Sequence, residues 1–100
     1  MINTMRYLTI GIHYPKPEHF EDIISVTKKV AEGAKKCEGL VDAGGWVDKE
    51  NNRLIMMSLW ESEEHAIKSR GALRPIIMEV PWSEWERQPS DNFLGLTRIV

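Results

Sequence analysis

From Tyr7 to Tyr14 the chain alternates. Leu8, Ile10, Ile12 and Tyr14 fall on one side, and Tyr7, Thr9, Gly11 and His13 on the other, which is the period of two that a strand requires. Pro15 ends that strand, and Pro17 suits the first turn of a helix, where a missing N–H costs little. Glu18, Glu21 and Asp22 follow where the helix dipole favours acids. Phe20, Ile23, Ile24, Thr27, Val30, Ala31, Ala34 and Cys37 then recur at intervals of three and four, with lysines on the opposite side. The spacing predicts a long amphipathic helix.

Gly39 is a stop signal, and the stretch from Leu40 to Glu61 reads as two strands joined by a turn at Lys49–Asn52, where the asparagines tolerate positive φ. Gly44 and Gly45 inside the first of these strands predict a bulge or a close backbone approach. Ser62 caps a second helix expected to run to about Ala72, ended by Gly71 and Pro75. An irregular region follows, in which Trp82 and Trp85 share one side of a short helical turn, and the stretch NFLGLTRIV forms a last strand. The order is βαββαβ. It predicts an α+β, ferredoxin-like fold: a four-stranded antiparallel sheet with both helices on one face. The reverse face would carry apolar residues with nothing over them, so a second copy of the chain, a homodimer, is expected to cover it.

One hundred residues make a single domain, 1–100, because a chain this short seldom divides into two units with adequate cores. The net charge of −2 comes from interleaved acids and bases. No basic stripe is present to neutralise a run of phosphates, so nucleic acid is not an expected partner. The amino-terminal stretch MINTMRYLTI lacks a basic head followed by a long apolar run, and no segment reaches the length needed to span a bilayer. The chain therefore reads as soluble and cytoplasmic, with no membrane partner. Its one cysteine, Cys37, fits a reducing compartment and packs as a small hydrophobe at a helix end.

Gly39 before the second strand, Gly45-Trp46 within it, and Trp60-Glu61-Ser62 running from the third strand into a helix together resemble the antibiotic biosynthesis monooxygenase family. The resemblance covers Tyr7 to Ala72 and the last strand. It implies a dimeric α+β barrel, in which two sheets meet back to back and each subunit keeps a pocket between its own sheet and helices. It also implies a class of activity, since such proteins include cofactor-independent oxygenases of polycyclic phenols and quinols as well as haem-degrading enzymes. In the phenol-oxidising branch the junction tryptophan works with an asparagine four residues earlier; Met56 stands there in this chain. In the haem-degrading branch a helix histidine ligates iron, and this chain has Arg70 at that place, which cannot.

The candidate chemistry gathers around Trp60, which either lines a pocket and stacks on a flat substrate or fills the core between sheet and helix. Ser58 shares its face and is a candidate hydrogen-bond donor. His13 is either a base for a phenolic proton, with Gly11 beside it leaving room for a ligand, or a partly exposed histidine satisfied locally. Tyr7 is a second candidate to assist an oxyanion. His65 reads as a surface residue that can overhang the pocket mouth. Trp82 and Trp85 form a lid or anchor a loop, Met56 fills an adaptable wall, and Arg70 and Arg74 stand ready for an acidic group or for solvent. Three histidines without metal-ligand spacing, and no glycine-rich phosphate loop, lead to the expectation that no cofactor is used. Two functions follow: a cofactor-free monooxygenase for an aromatic phenol or quinol, or a noncatalytic protein binding an aromatic or apolar metabolite.

Overall fold

A computed structural model describes residues 6–100; the first five positions, part of the amino-terminal stretch in which no export signal was found, lie outside the described residues. Strand β1 (Tyr7–His13) leads through a 3-10 turn (Pro17–His19) into helix α1 (Phe20–Lys35). Strands β2 (Leu40–Asp48) and β3 (Arg53–Trp60) follow, then helix α2 (Glu63–Met78), the single turn α3 (Trp82–Trp85) and strand β4 (Asp91–Leu96). The sheet order is β2-β3-β1-β4 with every neighbouring pair antiparallel, which is the ferredoxin-like arrangement expected from the hydropathy pattern.

Register decides which side chains share a face, because directly opposed residues in an antiparallel pair project the same way. Tyr7, Thr9, Gly11 and His13 lie opposite Trp60, Ser58, Met56 and Leu54, so these eight form the face toward the helices. There Trp60 packs with Ala34 of α1, Ala43 of β2 and Ala66 of α2. The small alanines let the helices approach the indole closely, and Trp60 keeps only 1% of its surface exposed. The remaining positions, Leu8, Ile10, Ile12, Ile55, Met57 and Leu59, occupy the reverse face, joined by Trp46 opposite Ile55 and Phe93 opposite Ile10. Trp46 is 55% and Phe93 45% exposed.

Local signals set most boundaries. Ser62 caps α2, its hydroxyl accepting from the His65 backbone N–H at 3.2 Å. Asn52 closes the β2–β3 turn with φ 49°. Gly39 adopts φ +86°, and a Cβ there would stand 2.2 Å from the His65 ring, so both conformation and space require glycine.

Two expectations need correction, the ends of α2 and β4, and one open alternative in β2 is decided. Helix α2 does not stop near Ala72 but continues through Gly71 and Pro75 to Met78. The proline ring opposes the carbonyl four residues back, which belongs to Gly71, a position with nothing within 4 Å of where its Cβ would be; packing of this stretch on α1, where Leu73 and Ile76 meet Gly33, outweighs the lost hydrogen bond. The β2 irregularity falls between Leu40 and Asp42, whereas Gly44 and Gly45 pair regularly with Met57 and Met56. What Gly45 provides is proximity, since a Cβ there would lie 2.6 Å from Thr27 Cγ2 of α1. Finally, β4 ends at Leu96, four residues before the last position of NFLGLTRIV.

Candidate functional site

Between the sheet and its helices lies a cavity of about 950 Å³, at the upper end of the range that small-molecule sites occupy. Tyr7, Thr9, Gly11 and His13 line it from β1, Met56, Ser58 and Trp60 from β3, and Ala31 and Ala34 from α1. Helix α2 adds Ser69, Arg70, Leu73 and Arg74, and the segment beyond it Trp82, Glu86 and Arg87.

Among the polar side chains of this wall, those around Trp60 and around His13 differ in their hydrogen bonding. Trp60 Nε1–H donates to Ser58 Oγ at 2.9 Å, and Ser58 Oγ lies 2.5 Å from Thr9 Oγ1. The indole N–H is therefore engaged within the protein. Ser58 has a proton left for a ligand only when Thr9 is the donor of the shared pair.

His13 is held otherwise. Its Nδ1 lies 2.9 Å from Glu86 Oε2, with the two side chains 12% and 6% exposed. The same carboxylate oxygen accepts the Tyr14 backbone N–H at 3.2 Å. A carboxylate only accepts, so Nδ1 carries the proton and, in the neutral imidazole, Nε2 is the acceptor. Nε2 points toward Gly11 and Asn92: a Cβ added to Gly11 would lie 3.5 Å from Nε2 and 3.4 Å from Asn92 Oδ1. Glycine at this position thus keeps open the space before the imidazole nitrogen. The Trp82 ring stacks on the imidazole, centroids 4.8 Å apart and planes 20° from parallel, and its Nε1–H is anchored on the Ile77 carbonyl at 2.9 Å.

Glu86 is fixed by its neighbours. Lys16 N–H donates to the Trp85 carbonyl at 2.8 Å and Arg87 N–H to the Tyr14 carbonyl at 2.9 Å, so Trp85–Arg87 runs as a short ribbon beside the end of β1. The Arg87 guanidinium donates to the carbonyls of Pro15 (2.9 Å), Asn52 (2.7 Å) and Asn51 (3.0 Å), tying the ribbon to the β2–β3 turn. Nearby, the Tyr14 hydroxyl donates to Asp91 at 2.5 Å, and this bond to a carboxylate pushes the phenol pKa up.

Of the sequence-derived candidates, Tyr7, Gly11, His13, Met56, Ser58, Trp60, Arg70 and Trp82 meet on the cavity wall. His65 does not: its ring packs against Gly39 and its Nδ1 pairs with Ser62 Oγ at 2.8 Å. Trp85 is likewise directed away, stacked on His19 at 5.3 Å. Thr9, Glu86 and Asn92 were missed. Thr9 was readable in principle, since it alternates with Tyr7 and Gly11. Glu86 carries no local signal, because its partner is 73 positions away in sequence.

No protein-family model matches the chain, and no curated protein does. Solved structures do. Rv0793 from Mycobacterium tuberculosis superposes with a TM-score of 0.82 at 12% identity, covering 95% of this chain and 96% of that one. A conserved protein from Methanosarcina mazei Go1 gives 0.78 at 19% identity over 91% of each chain. A candidate antibiotic biosynthesis monooxygenase from Nitrosomonas europaea gives 0.77 at 13% identity, covering 94% of this chain and 91% of that one. The chain therefore has the α+β fold of structures named as antibiotic biosynthesis monooxygenases, and shares it with proteins named for no activity.

Proposed function

We propose that the protein is a cofactor-free monooxygenase that oxidises a phenol- or quinol-type aromatic with dioxygen in the cavity between sheet and helices. The observation that carries this reading is His13: one nitrogen held by a buried carboxylate, the other facing open space beside Gly11. In this mechanism Nε2 takes the phenolic proton, and the electron-rich anion hands an electron to dioxygen within the largely apolar cavity. Recombination places a peroxide on the ring carbon. That carbon gains one oxygen atom, and the second leaves as water with the two hydrogens the substrate gives up, one of them returned through His13. Trp60 serves as an apolar wall, and Ser58 assists the oxyanion when Thr9 donates to it.

Oxygen uptake with a panel of anthrones and hydroquinones tests this, comparing wild type with His13→Ala and Trp60→Phe. A wild-type rate equal to that of buffer would overturn the reading for this substrate class. A second reading, a noncatalytic binder of an aromatic metabolite, is favoured by Met56, an apolar residue where the resemblance calls for an amide. Tryptophan quenching by ligand without turnover would establish it.

The bare apolar reverse face of the sheet supports a homodimer. Sedimentation at micromolar concentration should then give twice the chain mass; a monomer would refute it. Among the described residues no helix is long and apolar enough to cross a membrane. The lone cysteine is compatible with a cytoplasmic setting.

A further inference from the structure

The cavity wall carries charge opposite in sign to the chain. The sequence has a net charge of −2, yet the ionisable groups on the wall, besides Tyr7 and His13, are Arg70, Arg74 and Arg87 against Glu86 alone. Glu86 is occupied by His13 and the Tyr14 N–H, and Arg87 by three main-chain carbonyls. Arg70 and Arg74 differ. They take part in none of the ion pairs among the described residues, and they sit one turn apart on α2, where like charges repel. Between and beside them the same helix presents Leu73 and Ile77 to the cavity, so two guanidinium groups border an apolar wall.

We infer that the cavity selects an aromatic carboxylate, its acid group held by Arg70 and Arg74 and its rings laid against the apolar wall. This rests on the reading of the cavity as a ligand site, but not on turnover. Two planar forks match a carboxylate's geometry, and an anion between them relieves their mutual repulsion. A neutral ring system of the same shape gains only the apolar contact.

Binding of anthraquinone carboxylate and of its neutral hydroxymethyl analogue, both inert to oxidation here, is measured by tryptophan quenching. Wild type should bind the carboxylate about tenfold more tightly. In the R70Q/R74Q double variant the two affinities should become equal through loss of carboxylate binding alone. R70K/R74K should recover part of the preference, and added salt should weaken only the carboxylate. Both side chains are exposed, so the variants should keep the wild-type thermal midpoint. Equal affinities in wild type, or a preference that survives in R70Q/R74Q, would overturn the inference while leaving an aromatic cavity in place. If neither probe binds, the cavity reading itself falls, and this inference with it.

Discussion

At one end of β1 the indole of Trp60 and the hydroxyls of Ser58 and Thr9 satisfy one another, whereas at the other end a buried carboxylate engages one nitrogen of His13 and leaves the second facing space. Trp60 pairs with Tyr7, six residues or about 20 Å from His13 along the strand, and both groups line the same cavity. Sequence drew attention to the tryptophan because large aromatics at an element junction are conspicuous. Hydrogen bonding moves the chemistry toward the histidine. A polar residue contributes to a site through the valence its neighbours leave unfilled, so a fully paired group serves the fold and a half-paired one remains available to a ligand.

That contrast can be broken by experiment. Trp60→Ala should cost about 3–5 kcal/mol of stability, measured by urea unfolding, because it deletes the largest side chain of a packed cluster. His13→Ala should cost less, about 1–3 kcal/mol, because it takes a partner from the buried Glu86 carboxylate, yet lower the rate of oxygen uptake about a hundredfold once a substrate is found. Equal stability losses in these two variants would erase the distinction between the ends of the cavity.

Glu86→Leu should cost about 1–3 kcal/mol in thermal or urea unfolding, because it strands the Tyr14 N–H and the imidazole N–H in a buried site. Ser58→Ala should cost about 1 kcal/mol, leaving the Trp60 N–H unpaired, with little change in the pH dependence of turnover. The smallest effect lies outside both groups. Hydrogen bonds from Asn51 and then Arg53 hold the Asp48 carboxyl below its ordinary value. A carboxylate depressed in the folded state stabilises it above the unfolded pKa, and the benefit is lost as pH falls through the folded value. The thermal midpoints of wild type and D48N should therefore differ slightly at neutral pH and converge below about pH 4.

The legibility of the chain followed the range of the interactions involved. Alternation in β1, the helical period of α1, the Ser62 cap and the turn at Asn52 depend on residues a few positions apart, and each was readable. Pro75 misled because its local penalty of about 3 kcal/mol is offset by packing of α2 on α1, an interaction between segments some 40 positions apart. Gly44 and Gly45 left a bulge or a close approach open, and the choice fell to a helix lying over Gly45, again an interaction beyond the strand itself.

The amino-acid order by itself determined the element sequence, the antiparallel sheet with both helices on one side, and the alternation that sets Tyr7, Gly11 and His13 on one face of β1 and Ser58 with Trp60 on one face of β3. Local periodicity and covalent geometry suffice for these. Register and packing decided which face meets the helices. Only the tertiary structure decided that Glu86 returns to hold His13, that Ser58 silences the Trp60 N–H, and that His65 and Trp85 turn away from the cavity. Hydrogen bonds reach about 3 Å, and which atoms come within that distance is set by the packing of the whole chain.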